Sequence, residues 1–164
     1  MSSFFDGEIH VWQTATRQTP PEIFASALRF AAQGHRAVLV QFLKGGIDQG
    51  PEHPRTLAQN LHWLRPDIGR IVDCYFEDAE RVAIQVLWQH IEACKADYDL
   101  LVFDEIGLAV DLGLVTEDQL LKLLKEKLPH QEIVLSGQKI PDSVRPLASQ
   151  WSEISRPSRS GKIT

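Results

Sequence analysis

The stretch DYDLLVFDEI, Asp97–Ile106, decides the fold. Asp99–Asp104 is predicted as a strand, and its apolar run Leu100–Phe103 has no polar alternate. A strand of that kind must be covered on both faces, as in the interior of a parallel sheet. The run ends in adjacent carboxylates, Asp104 and Glu105. Ligands of open parallel sheets sit beyond the carboxyl ends of the strands, so these ten residues indicate both an architecture and the end at which chemistry belongs.

The same alternation extends outward from this strand. Glu8–Gln13 and the continuous apolar run Arg36–Leu43 read as strands, and Pro20–Gln33 between them as a helix stopped by Gly34. After a Gly- and Pro-rich loop, Lys44–Pro54, the spacing predicts a short helix near Arg55–Trp63 and a strand over Gly69–Tyr75. Glu77–Lys95 is a long helix, with Val82, Val86, Ile91 and Cys94 among its apolar positions. On the far side, Thr116–Leu128 opens with Thr116 and Gln119 at capping-box spacing. Glu132–Ser136 is a further strand, Pro141–Ala148 a short helix and Gln150–Ser155 a last strand. Strands alternating with helices imply right-handed crossovers and a three-layer parallel α/β sheet with helices on both faces. At 164 residues this is one domain, with a core over about 8–155 and a basic tail, Arg156–Thr164.

The composition excludes several classes. With 43% hydrophobic and 24% charged residues the chain is an ordinary globular one. A net charge of −5 argues against nucleic acid and against an anionic membrane surface as partner. Apolar runs are strand-length, not membrane-spanning. No signal peptide is evident at the start, and Cys74 and Cys94 show no metal or disulfide spacing, which points to the cytoplasm. The six histidines are scattered and read as satisfied polar residues. Trp12, Trp63, Trp88 and Trp151 read as anchors of the core or an interface, with Trp63 the most exposed.

An apolar strand ending in Asp104-Glu105 resembles a Walker B strand, in which a carboxylate holds Mg²⁺ on bound ATP. Three longer segments resemble one family in order and spacing, the P-loop type of ATP-dependent corrinoid adenosyltransferases. They are Ala27–Gly46 (ALRFAAQGHRAVLVQFLKGG), Asp97–Val115 (DYDLLVFDEIGLAVDLGLV) and Ile133–Ile154 (IVLSGQKIPDSVRPLASQWSEI). The resemblance implies a P-loop domain, commonly a homodimer, that transfers adenosyl from ATP to a reduced corrinoid cobalt. Gln41, Lys44, Asp104 and Glu105 keep the family's residue types.

The departures concentrate on phosphate. Counted back without a gap, the family's Gly-rich loop falls on Thr14-Ala15-Thr16-Arg17-Gln18-Thr19-Pro20-Pro21. A phosphate cradle needs converging backbone N–H groups, glycines to let the backbone approach, and a lysine. Here the lysine position is Thr19 and the hydroxyl position Pro20. Thr19-Pro20-Pro21-Glu22 reads as a helix start, with Thr19 as cap and Glu22 at the positive end of the helix dipole. In the turn Ser136-Gly137-Gln138 the family's arginine is Gln138, and both segments flanking the core are short. The expectation is a non-catalytic relative with no cofactor, acting through a second copy, another protein or weak ligand binding, the last with the Lys44–Pro54 loop over the cleft. The alternative is an active enzyme using ATP, Mg²⁺ at Asp104 and a corrinoid at an atypical site.

Overall fold

The computed structural model describes residues 7–46 and 48–155; the basic tail named above lies outside the described residues. Its strands are β1 (Ile9–Thr14), β2 (Ala37–Gln41), β3 (Arg55–Leu57), β4 (Leu61–Leu64), β5 (Leu100–Asp104), β6 (Glu132–Gly137) and β7 (Gln150–Ile154). The helices are α1 (Pro21–Ala32), α2 (Asp78–Cys94), α3 (Ile106–Asp111) and α4 (Glu117–Lys125), with 3-10 turns at Lys95–Asp97 and Asp142–Leu147. One sheet runs in the order β3-β4-β2-β5-β6-β1-β7. Every pairing is parallel except β3 with β4.

The two faces of the sheet follow the period-2 geometry of a strand. Val38, Val40, Leu101, Phe103, Ile133 and Leu135 point into the larger core, against Ile84, Leu87, Trp88 and Ile91 of α2. Their neighbours Ala37, Leu39, Leu100, Val102 and Val134 point to the other side, where Ile23, Ala27, Phe30 and Ala31 of α1 cover them. Burying a side chain of this size contributes roughly 1.5–3 kcal/mol, so the unbroken apolar strands account for the three-layer form.

Several expectations are corrected. Arg55–Trp63 is not helical. Leu57, Leu61 and Leu64 have helical spacing, but β4 pairs with β2 along Ala37–Val40, and Ala58 at φ 55° turns the chain into a hairpin. Once β4 fills the place beside β2, Gly69–Tyr75 has no strand to join. It is a loop with one bridge, Lys44 to Ile71, and with the Val72 N–H donating to the Leu43 carbonyl at 2.8 Å. On α2, Val82 and Val86 face solvent, 60% and 46% exposed, while Ile84, Leu87, Trp88 and Ile91 are buried. The helix α3 was not predicted, because six residues are too few to show a period. Trp63 is half-buried like Trp12 and Trp151, and Trp88 is buried. The capping box at Thr116 and Gln119 is present in both directions, at 3.1 and 2.9 Å. Gly34 follows α1 at φ 93° and donates to the Ala31 carbonyl. No helix among the described residues is long and apolar enough to cross a membrane.

Candidate functional site

The carboxyl ends of β1, β2, β5 and β6 bring together the residues singled out from the sequence. Asp104, the last residue of β5, is 1% exposed. Its Oδ2 accepts from Thr19 Oγ1 at 2.7 Å, Gln41 Nε2 at 3.0 Å and Lys44 Nζ at 3.1 Å. Its Oδ1 accepts from Ser136 Oγ at 3.3 Å. A buried carboxylate is tolerable only when paired and hydrogen-bonded, and here one ammonium and three neutral donors meet it. The Gln41 amide oxygen in turn accepts from Trp63 Nε1 and Arg65 Nε, both at 2.8 Å. The Arg65 guanidinium stacks over the Trp63 ring at 4.2 Å, and burial pulls its pKa down.

Glu105 is equally committed. Arg17 grips it with a two-pronged contact, Nε to Oε1 at 2.7 Å and Nη2 to Oε2 at 2.9 Å. These bonds raise the Arg17 pKa further above its ordinary value, against the opposing effect of burial. Glu105 holds φ at 59°, a left-handed conformation that costs a bulky residue about 1–3 kcal/mol. Gly137 explains how the backbone fits. A side chain there would place its Cβ 2.9 Å from the Glu105 Cα, and its φ of 126° also requires glycine.

The first loop, between β1 and α1, spends many of its polar groups on partners within the protein. The Ala15 N–H donates to the Ile154 carbonyl at 3.1 Å, and Gln18 N–H reaches Thr16 Oγ1 at 3.4 Å. Thr14 Oγ1 donates to the Thr16 carbonyl at 2.7 Å. Gln138 donates to the Ala15 carbonyl at 2.8 Å and ties the β6 turn to this loop. The cap assignment is corrected: Pro20 occupies the cap position of α1, with Pro21 first in the helix. Thr19 makes no capping bond because its hydroxyl is spent on Asp104. The Ile23 N–H closes on the Pro20 carbonyl at 3.1 Å, and Pro21 removes one N–H from the first turn. Glu22 is exposed in the first turn.

Outside this network lies an open groove of about 1350 Å³. Trp12, Pro20, Ile71 and Ile154 give it apolar walls, and Arg17 and Lys44 face it from below. Among the described residues of the Lys44–Pro54 loop, Lys44 alone is among its walls. Sequence reasoning missed Arg65, Trp12, Ile71 and Ile154. None of them carries a motif, and only the pairing of β4, β1 and β7 brings them near the strand ends. Among the described residues, no group of three or more His, Cys, Asp or Glu is placed to hold a metal ion.

Comparison with known proteins agrees with this arrangement. Residues 7–160 match the family model described as ATP:corrinoid adenosyltransferase BtuR/CobO/CobP. The chain is also similar to the "Corrinoid adenosyltransferase CobA" of Salmonella typhimurium (strain LT2), 24% identical over 133 residues, covering 80% of this chain and 67% of that protein. With that match spanning nearly the whole chain, on a mostly parallel α/β sheet of the P-loop type, the chain belongs to the ATP:corrinoid adenosyltransferase family.

Proposed function

We propose that this chain is a non-catalytic member of its family, working by binding and not by adenosyl transfer from ATP. One observation carries the reading. Two side chains of the first loop, Arg17 and Thr19, occupy the two carboxylates at the end of β5. A phosphate-binding loop turns its N–H groups outward to an anion and leaves the strand-end carboxylate free for Mg²⁺. This loop turns its side chains down onto that carboxylate instead. The surroundings of Asp104 do not suit Mg²⁺ either, since donors and an ammonium crowd the oxygen that a cation would need. At the mouth of α1 an exposed carboxylate, Glu22, adds repulsion for a polyphosphate.

Calorimetry with MgATP tests this directly. The expected outcome is no heat of binding at micromolar concentrations; tight Mg²⁺-dependent binding would overturn the reading.

A second reading has one observation in its favour. Arg17 and Lys44 reach the groove, with side chains 32% and 19% exposed, and could exchange their carboxylates for phosphate oxygens. The chain would then be an active corrinoid adenosyltransferase with an atypical nucleotide site. Formation of adenosylcorrinoid from ATP and a reduced corrinoid, abolished by Asp104→Asn, would support it. No product at high protein concentration would remove it.

A further inference from the structure

The groove over the first loop is not explained by the loss of phosphate binding. Its two cations are held from beneath but are not used up. A guanidinium has five N–H donors in a fixed fork, and Arg17 spends Nε and Nη2 on Glu105 while Nη1 has no partner among the described residues. An ammonium has three donors, and Lys44 spends one on Asp104. Both residues line the groove, so their remaining donors lie where a ligand can meet them.

The charge balance limits what that ligand is. Glu105 neutralises Arg17, Asp104 neutralises Lys44, and Glu22 stands exposed on the groove wall. Among the described residues no further cation lines the groove for a dense polyanion, and the spare donors of these two suffice to hydrogen-bond one small anionic group. Around them the lining is more apolar than polar, with Ile71 57% exposed and Ile154 36% exposed beside Trp12 and Pro21. Apolar side chains left open around a concave surface with few convergent polar groups are the usual make-up of a small-molecule site.

We propose that this groove binds an amphipathic monoanion, an apolar body carrying one carboxylate, sulfonate or monophosphate group, with the charged group seated between Arg17 and Lys44. The inference rests on the reading that the first loop holds no ATP, and it names the class of ligand that takes the place.

The test uses 1-anilinonaphthalene-8-sulfonate as probe, read by fluorescence, with uncharged N-phenyl-1-naphthylamine as its control. One sulfonate probe should bind per chain, about tenfold or more tighter than the control, because the uncharged probe forgoes the charge-assisted hydrogen bonds to Arg17 and Lys44. Arg17→Lys keeps a cation on Glu105 but removes the spare fork arm, and it should weaken the probe about tenfold. Ile71→Glu changes an exposed side chain and sets a like charge at the mouth, with a similar expected loss. Far-UV circular dichroism on each variant verifies that the fold is retained. Equal affinity for the two probes, unchanged affinity in both variants, or no saturable binding would overturn the proposal. MgATP calorimetry on the same protein separates the two readings. MgATP binding removes the non-catalytic function and this ligand assignment together, whereas a failed probe without MgATP binding removes only the assignment.

Discussion

Both ends of the sheet contain buried ion pairs, and they are built differently. At the amino ends, His10 of β1 lies against Glu132 of β6, with Nε2 3.0 Å from Oε2 and Nδ1 3.2 Å from Gln150 Oε1. Acceptors placed at both ring nitrogens favour the protonated ring and raise its pKa. Glu132 is fully buried, and its other oxygen accepts the Gly7 N–H at 2.7 Å. Every polar atom of this pair is used, and three strands are joined through it. At the carboxyl ends, Asp104 and Glu105 are just as buried, but their cations are only partly so and keep donors turned to a groove. The contrast separates a fastening from a site: the first has no free valence, and the second does.

That contrast can be broken first by His10→Ala. It leaves the Glu132 carboxylate buried without its partner, so unfolding in urea should show a loss of about 3–5 kcal/mol. A loss below about 1 kcal/mol would mean that water reaches this end as well.

Arg17→Ala sharpens the comparison from the other side. Glu105 loses its partner, but the groove admits water to replace it, so the expected cost is about 1–3 kcal/mol in the same measurement. A cost equal to that of His10→Ala would erase the distinction between the two ends.

Titrating the His10 pair without deleting it has a smaller effect. The hydrogen bond to Glu132, opposed by burial, raises His10 above 6.5, and the resulting stability is complete below that value and lost as pH rises through the folded pKa. Burial pushes Glu132 up, but the His10 bond and two backbone N–H groups outweigh it and hold it below 4.5. Its contribution is present above 4.5 and lost as pH falls through the lower folded value. The pair's full contribution therefore spans roughly pH 4.5 to 6.5. Urea midpoints across pH should show a decline above that window which His10→Ala abolishes.

The smallest expected effect is that of Gln138→Ala. It removes the exposed bond to the Ala15 carbonyl that ties the first loop to the β6 turn, at a cost of about 0.5–1.5 kcal/mol. Faster amide exchange in residues 15–19, with little change elsewhere, would verify the tether.

Much of the fold was legible because its signals are local. The apolar runs at Val38–Val40 and Leu100–Phe103, the glycine after α1 and the Thr116–Gln119 box need no knowledge of distant residues. The hairpin Arg55–Leu64 was misread because Leu57, Leu61 and Leu64 satisfy a helical period, and pairing with β2 outweighs that preference. Val82 and Val86 were marked only as apolar positions of α2, and which strip is buried was not legible: the sheet takes Ile84, Leu87, Trp88 and Ile91. At the candidate site the sequence marked Gln41, Lys44, Asp104, Glu105 and the first loop, all of which meet. The direction of Thr19 was misread, as a cap for its own helix when its hydroxyl turns to Asp104.

By itself the sequence determined the layer architecture, the family and the absence of loop glycines, since each depends on residue type along a short window. Only the tertiary structure decided where the side chains of the first loop are spent. Arg17 lies 88 residues from Glu105 and Thr19 lies 85 from Asp104, so their meeting depends on parallel strands ending at one edge. A side chain's preference is local, but the partner it finds is set by the packing that brings distant strand ends together.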